Sequence, residues 1–402
     1  YFKELGVTAL WMTPPIENIH GSTDEGTGKT YAYHGYWPRD WTNIDANLGT
    51  LADYKELIDK AHAQGIRVLM DVIINHTGPV TETDNQWPED WVRTSPTCGF
   101  DSFNTTVTCT LVDNLPDIKT ESNENVELPE FLIAKWQEEG RYEQEMEELD
   151  AFFARTGYPR APRFYIIKWL TDYVRELGID GFRVDTAKHT EPSVWAELYR
   201  EAVIALNEWR KNNPDARLDD VPFYMVGEVY GYSIANGLDY NMGDTLINFY
   251  DNGLQALINF GLKYEANGPD EVLFANYSQI LNTTLADYST LNYLSSHDDA
   301  GPFDKERTRV FEAGTKLLLS PGAAQIYYGD ETARPLIVEG AEGDANLRLP
   351  MNWTDLAENK QTNGYYTSDV YQHFAKLGKF RRLHPAVGAG VHELLSMAPY
   401  VF

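Results

Sequence analysis

The chain has 402 residues, of which 43% are hydrophobic, so it can bury a large core in one α/β barrel or in two to three smaller domains. Its formal net charge of −28 argues against nucleic acid and anionic membrane surfaces as partners, because both require positive protein surface. No apolar run approaches the roughly 20 residues that cross a bilayer, so we expect no membrane insertion.

Short apolar segments that end in polar residues recur along the chain, and helical patterns separate them. They predict strands at residues 7–12, 66–74, 181–185, 223–228, 245–250, 291–296 and 323–329. Gly65 and Gly178 stand where two of the intervening helices should end. The alternation of strand and helix predicts parallel βαβ units. We therefore predict an α/β fold, a TIM (β/α)8 barrel, with a doubly wound open sheet as the alternative.

The spacing of these strands predicts the domain organisation. The interval from Asp71 to Asp185 is much longer than one βαβ unit of about 30 residues, which indicates an insertion after the third barrel strand. Seven strands also imply a first strand upstream of Tyr1, and PYVF (399–402) resembles the start of a strand in a truncated C-terminal β domain. The predicted divisions are 1–77, the first part of the catalytic barrel with strands 2 and 3; 78–160, the inserted domain; 161–390, the second part of the barrel with strands 4 to 8; and 391–402, the start of a C-terminal β domain.

The two cysteines, Cys98 and Cys109, lie in the predicted insertion. They could close a small loop through a disulfide, which would place the protein in an oxidising compartment. Two free thiols are the alternative. A zinc site is not expected, because no second cysteine pair or cysteine and histidine set stands nearby.

Carboxylates stand at four of the predicted strand ends: Asp71, Asp185, Glu228 and Asp298. In a barrel the carboxyl ends of the strands meet at one mouth, where enzymes of this fold keep their active sites. A purely structural protein would avoid gathering like charges there, since burial and mutual repulsion destabilise them. Side chains alternate along a strand, so Arg183 should share a face with Asp185.

Three histidines follow these strands closely: His76, His189 and His297. They could form a metal triad. Neutral hydrogen-bond donors to hydroxyl groups are the interpretation that better fits a polar, uncharged substrate.

Four ordered segments, supported by flanking ones, resemble the signature regions of the α-amylase family of glycoside hydrolases, family 13. Within that family the chain looks closest to the periplasmic α-amylases of Gram-negative bacteria. The resemblance covers essentially the whole chain and rests on DVIINH (71–76), GFRVDTAKH (181–189), GEV (227–229) and SSHDD (295–299), with YHGYW (33–37) and LPDIKT (115–120) beside them.

The resemblance implies catalytic roles for three acids. Asp185 matches the nucleophile, which must stay ionised, and Arg183 supplies the positive charge that favours this state. Glu228 matches the general acid/base, which must hold a proton near neutral pH. Asp298 matches the third acid, which binds sugar hydroxyls. Such a pair, Asp185 and Glu228, implies retention through a covalent glycosyl-enzyme intermediate.

The resemblance also implies substrate-binding residues. His76, His297 and Tyr36 match side chains that contact the sugar next to the cleaved bond. Lys188 and His189 resemble a pair on the leaving-group side, which favours an endo-acting enzyme.

Calcium is the cofactor that the resemblance implies, and its preference for hard oxygen ligands fits the residue types. Asn75, Asp117 and the backbone carbonyl of His189 align with family ligands. One further acidic ligand, which the family usually carries just before the second cysteine, is absent from TTVTC (105–109).

The sequence therefore predicts hydrolysis of internal α-1,4 bonds in starch and maltodextrins by a periplasmic or secreted monomer. An α-glucan transglycosylase using the same intermediate is the alternative; GEVYGY (227–232) lacks the bulky apolar acceptor platform expected for it. A non-catalytic binding subunit is a third hypothesis, which the three retained acids disfavour.

Overall fold

The computed structural model describes residues 1–24, 26, 28–299 and 301–402. These residues form two compact units. The first unit comprises Ala9–Glu228 and Asn241–Leu254, and the second comprises Tyr1–Thr8, Val229–Tyr240 and Gln255–Phe402.

The first unit contains a parallel sheet of four strands. They are β1 (Ala9–Met12), β2 (Arg67–Val72), β3 (Gly181–Val184) and β4 (Tyr224–Gly227), hydrogen-bonded in that order. The register pairs Asp71 with Arg183, and Arg183 with Val226. Paired residues of adjacent parallel strands point to the same face, so this register brings polar side chains of β2 and β3 together.

Helices of the first unit separate these strands, as the alternation predicts. They are α1 (Leu51–Ala63), α2 (Phe103–Val107), α3 (Glu130–Glu138), α4 (Tyr142–Thr156), α5 (Pro162–Leu177) and α6 (Pro192–Asn212). Helix α1 begins at a capping box in which Thr50 and Asp53 satisfy each other's backbone N–H groups. Helix α5 ends at Gly178, whose φ of +76° is left-handed and whose position leaves no room for a Cβ beside Trp209.

Short antiparallel pairs and a disulfide complete the first unit. The pairs are Ile16–Asn18 with Pro38–Ile44, Thr23–Asp24 with Lys29–Thr30, and Val92–Arg93 with Asp117–Ile118. Cys98 and Cys109 form the disulfide, so that prediction is confirmed.

The second unit contains three parallel strands: β5 (Ala256–Asn259), β6 (Ser289–Asn292) and β7 (Ala323–Ala324). Its helices are α7 (Leu262–Glu265), α8 (Asp270–Leu281), α9 (Val310–Leu319), α10 (Trp353–Ala357), α11 (Thr367–Leu383) and α12 (Ala386–Ala389). Its core includes Leu5, Val310 and Leu318, packed with Val370 and Phe374 of α11. No helix in the described part of the chain is both long and apolar enough to cross a membrane.

The strand predicted at residues 245–250 is wrong as a member of a parallel sheet. Leu246–Asn248 is a short strand that pairs with none of β1 to β7, and Leu246 is exposed. The parallel strand is β5, whose four residues are all buried. Both segments are apolar, and a run of four residues carries no periodicity that could separate them.

Candidate active site

Four charged side chains meet at the carboxyl ends of β2, β3 and β4; we call Asp71, Arg183, Asp185 and Glu228 the carboxylate cluster. Arg183 Nη1 lies 2.6 Å from Asp185 Oδ1 and 3.1 Å from Asp71 Oδ1, and Arg183 Nη2 lies 3.1 Å from Glu228 Oε2. Arg183 is only 1% exposed. One buried guanidinium therefore serves three buried carboxylates, and Asp185 shares a face with Arg183 as strand alternation predicts.

Two aromatic side chains hold the cluster on another side. Trp11, at the end of β1, and Tyr36 place their rings 4.9 and 5.7 Å from the Arg183 guanidinium carbon. Both also donate to Asp71 Oδ2, Trp11 from Nε1 at 2.9 Å and Tyr36 from its hydroxyl at 2.7 Å. These contacts fix the guanidinium plane and give Asp71 two neutral donors in addition to the cation.

The surroundings drive the pKa values of two of the acids apart. Burial acts to raise the pKa of Asp185, but Arg183, His76 and the Thr186 hydroxyl outweigh it, so the pKa is lowered. Burial raises the pKa of Asp71 to about 7, because Arg183 offsets only part of the desolvation and Asp185 adds repulsion. Asp185 is thus the carboxylate that stays ionised across the whole physiological range.

A strained turn after β3 links the two predicted catalytic carboxyl groups. Thr186 has a φ of +46°, a left-handed conformation that is costly for a β-branched residue. In this turn the Thr186 N–H donates to Glu228 Oε2 at 2.9 Å, and its hydroxyl donates to Asp185 Oδ2 at 3.1 Å. The strained residue therefore orients both groups at once.

The structure places the predicted histidines of the first unit in buried positions. His76 Nε2 donates to the Tyr36 carbonyl at 3.0 Å, and burial lowers the pKa of His76 although Asp185 opposes the shift. His189 ends the turn Ala187–His189 that also carries Lys188. Burial and the adjacent Lys188 lower the pKa of His189 to about 4, so its ring is neutral near neutral pH.

His297 and Asp298 lie in the second unit, in the segment 295–299 that we call the Asp298 loop. Asp298 is 37% exposed at its side chain; Ser296 Oγ donates to Asp298 Oδ1 at 3.3 Å, and His297 Nε2 lies 3.8 Å from Asp298 Oδ2. The flanking residues are held more firmly: the His297 carbonyl accepts from Arg348 Nε at 2.9 Å.

Sequence reasoning missed three contributors to this site. Trp11 and Thr186 had no predicted role, and Asp71 was noted only as a strand-end carboxylate. Trp11 does stand at a predicted strand end, which is a usable signal. The turn conformation of Thr186 has no sequence signature, because its neighbours lack the glycine or asparagine that usually mark a left-handed residue.

The predicted calcium ligands offer oxygen atoms of the right kind. Asn75 and Asp117 are buried and adjacent, since Ile118 N donates to the Asn75 carbonyl at 2.8 Å. Burial raises the pKa of Asp117 to about 8, because Arg93, whose Nη1 lies 2.8 Å from Asp117 Oδ2, offsets only part of the desolvation. The donor set fits a hard cation. Within the described residues no group of three or more histidine, cysteine, aspartate and glutamate side chains is arranged as a metal site.

Comparison with known proteins connects this geometry to a family. The sequence profile described as "Alpha amylase, catalytic domain" matches residues 1–386. The chain is 36% identical to the periplasmic alpha-amylase of Escherichia coli (strain K12) over 98% of its own length and 61% of that protein. It is 28% identical to the cyclomaltodextrin glucanotransferase of Geobacillus stearothermophilus, with 98% and 48% covered.

Solved structures give the fold. The alpha-amylase of Geobacillus thermoleovorans, complexed with acarbose, superimposes with a TM-score of 0.65 at 21% identity, over 96% of this chain and 71% of that one. The chain spans about half to three fifths of the length of the curated relatives it matches. The predicted fold class is confirmed as the (β/α)8 barrel of these catalytic domains. The chain belongs to the α-amylase family of glycoside hydrolases.

Proposed function

We propose that the protein hydrolyses internal α-1,4-glucosidic bonds of starch and maltodextrins with retention of anomeric configuration. The observation that carries this proposal is the carboxylate cluster: a buried guanidinium bridges Asp185 and Glu228, and Asp185 is kept ionised. An ionised carboxylate next to a second carboxyl group is what a retaining glycosidase requires.

In the first step, Asp185 attacks the anomeric carbon while Glu228 gives its proton to the leaving glycosidic oxygen. Arg183 and the Thr186 hydroxyl hold Asp185 in place and keep it deprotonated. The Thr186 N–H holds Glu228 through Oε2. The Thr186 N–H can donate to Glu228 Oε2 in both protonation states, and it binds the ionised form more strongly.

In the second step, Glu228 takes a proton from water, which attacks the glycosyl-enzyme ester and releases Asp185. We assign Asp298 to hydroxyl groups of the distorted sugar ring, and His76, His297 and Tyr36 each to the sugar next to the cleaved bond, as the family resemblance implies. Lys188 and His189 bind the sugars on the leaving-group side, which is why we propose internal rather than terminal cleavage.

The test of this proposal uses maltohexaose and the purified protein. Proton NMR during the first minutes should show new reducing ends in the α configuration, and chromatography should show only oligosaccharides shorter than the substrate. Initial accumulation of the β anomer would contradict retention, and release of glucose alone would contradict internal cleavage.

An aromatic surface favours transglycosylation as a second candidate. Tyr230 follows Glu228 by two positions in the chain, is 62% exposed, and packs its ring 5.1 Å from Phe260. Phe260 packs in turn on Tyr293 at 5.7 Å. The sequence predicts no bulky apolar acceptor platform in GEVYGY; under this second candidate we propose that the ring of Tyr230 is the surface on which a sugar acceptor stacks. Products longer than maltohexaose at high substrate concentration would establish this activity.

We also propose that Asn75, Asp117 and the His189 carbonyl hold calcium, and that residues 78–160 form an inserted domain anchored by it. The ion would add positive charge to that of Arg93, which offsets only part of the desolvation of Asp117. Chelation should lower the melting temperature, and added calcium should restore it. Asp117→Asn should melt at the same temperature with or without calcium; an unchanged melting curve of the native protein after chelation would refute the site.

We propose an exported location, because disulfides persist mainly in oxidising compartments. Neutral α-glucans are the proposed partners, and a monomer is the proposed state. Size-exclusion chromatography with light scattering tests the oligomeric state.

A further inference from the structure

The segment 98–109, which we call the disulfide loop, contacts the ring of His189. The Phe100 ring lies edge-on to the His189 ring, with centroids 4.8 Å apart and an interplanar angle of 78°. His189 Nδ1 lies 3.1 Å from the carbonyl oxygen of Thr106, which belongs to α2 inside the loop. The disulfide between Cys98 and Cys109 closes this loop.

These two contacts fix the orientation of the imidazole. A backbone carbonyl can only accept, so the Thr106 oxygen requires the hydrogen on Nδ1 of His189. The Phe100 ring packs against the imidazole of His189 and so restricts rotation about the Cβ–Cγ bond of His189. The ring edge that carries Nε2 is consequently the one turned away from Thr106.

The disulfide loop is held independently of His189. At its base Thr97 Oγ1 and Thr110 Oγ1 share a hydrogen bond of 2.7 Å, and Thr110 N donates to the Pro96 carbonyl at 2.9 Å. At its tip Phe103 N donates to Asp244 Oδ1 at 2.7 Å. Closed at the base and docked at the tip, the loop can act as a fixed support.

A second observation at the tip points to close docking. Gly243 has a φ of +98°, and a Cβ at this position would overlap the carbonyl of Asp101. The backbone of the disulfide loop therefore approaches Gly243 more closely than any side chain would permit.

We propose that the disulfide loop is a positioning element for His189 and thereby sets how well the enzyme uses sugars on the leaving-group side. Phe100 and Thr106 are positioning residues in this scheme, because they act through His189. The inference rests on the proposed function, since it assumes that His189 contacts those sugars. The competing explanation is that the disulfide only stabilises the fold by restricting the unfolded chain.

Two substrates separate these explanations. The leaving group of maltohexaose is a sugar, whereas the leaving group of α-maltotriosyl fluoride is a fluoride ion. The fluoride ion needs no contact with sugar-binding residues on the leaving-group side. In the Cys98→Ser/Cys109→Ser variant, kcat/KM for maltohexaose should fall about tenfold, the order expected for one lost hydrogen bond. For the fluoride it should stay within about twofold. Thr108→Ala is the matched control, because its exposed hydroxyl bonds only the Asn104 carbonyl of the same loop and makes no bond to His189.

A double-mutant cycle sharpens the test. In a His189→Ala background, removing the disulfide should cause no further loss with maltohexaose, because the positioned group is gone. Equal losses with both substrates, or additive losses in the cycle, would overturn the proposal, as would no loss at all.

If the Cys98→Ser/Cys109→Ser variant does not fold, kcat/KM is measured for Phe100→Leu, which keeps the disulfide, with the same two substrates. A loss with maltohexaose alone supports the proposal, and equal losses with both substrates, or no loss, overturn it. Failure of the native protein to cleave either substrate would instead refute the proposed function.

Discussion

The carboxylate cluster and the Asp298 loop hold their acids in opposite ways. In the cluster the functional carboxylates themselves are bonded: Asp185 and Glu228 contact Arg183 and Thr186 directly, and both acids are less than 10% exposed. In the Asp298 loop, strong contacts fall on the neighbours of the acid. Contacts within the protein therefore hold the carboxyl groups of the cluster themselves, whereas Asp298 is positioned through the contacts of its neighbours in the chain.

The anchors of the Asp298 loop lie on both sides of Asp298. Ser295 Oγ donates to Asp330 at 2.6 Å, and Asp299 pairs with buried Lys263 and accepts from the Tyr293 hydroxyl at 2.7 Å. These bonds fix the backbone on both sides of Asp298, the residue that we propose binds sugar hydroxyl groups. In the cluster the electrostatic environment of the proposed nucleophile is fixed, whereas in the Asp298 loop the backbone that carries the proposed substrate-binding acid is fixed.

The largest expected effect comes from the chemistry of the cluster. Glu228→Gln keeps an oxygen that can accept from Thr186 N–H but cannot transfer a proton, so kcat should fall by about 10² to 10⁴. Maltodextrin binding, measured by calorimetry, should be retained. Glu312→Gln, an exposed residue of α9, is the control. A variant with near-native kcat would remove Glu228 from the reaction.

Replacing Arg183 tests how much its positive charge stabilises the carboxylate cluster. Arg183→Gln leaves three buried carboxylates without their common partner, so the free energy of unfolding should fall by about 3–5 kcal/mol. Part of the loss should return at lower pH, where the carboxylates can be protonated. Arg309→Gln, which breaks an exposed pair with Glu312, should cost at most about 1 kcal/mol in the same denaturant titration. Equal losses in the two variants would contradict this account of the cluster.

The pH dependence of stability distinguishes Asp71 from Asp185. The folded protein binds the Asp71 proton more tightly than the unfolded chain, so this group lowers stability as pH rises from its ordinary pKa to about 7. Asp185 has a lowered pKa; its contribution is present above its ordinary pKa and is lost only as pH falls through the lowered value. The melting temperature of Asp71→Asn relative to the native protein should therefore be higher at pH 8 than at pH 5. A constant difference would contradict the raised pKa.

The smallest expected effect concerns the Asp298 loop. Lys263→Met keeps the length of the side chain but removes the charge that holds Asp299, so kcat should fall about tenfold as Asp298 loses its fixed backbone. Lys316→Met is a matched control, because Lys316 is equally buried and pairs with Asp270 in the same unit. Both variants should lose similar stability, and only Lys263→Met should lose kcat. Equal kcat values would show that Lys263 does not position the loop.

Much of the carboxylate cluster could be predicted because strand geometry is regular. The alternation of side chains along GFRVD was enough to place Arg183 beside Asp185, and the end of each strand identified Asp71 and Glu228. The disulfide between Cys98 and Cys109 was also predictable, since the chain has no other cysteine.

The parts that could not be predicted depend on long-range packing or on irregular backbone. Segment 245–250 and β5 have similar composition, and only burial in the folded protein separates them. The left-handed Thr186 and the contact of Phe100 with His189 have no local sequence signal. The exposure of Tyr230 also depends on the folded structure, because the sequence does not say which tyrosines are buried.

Trapping the covalent intermediate would identify the proposed nucleophile. The protein is incubated with a 5-fluoro-α-maltosyl fluoride, which forms the glycosyl-enzyme ester faster than water releases it, and is then digested and analysed by mass spectrometry. We predict one 5-fluoromaltosyl label per chain, on the peptide that contains Asp185. A label on another carboxylate, or no label in a protein that hydrolyses maltohexaose with inversion, would contradict the account.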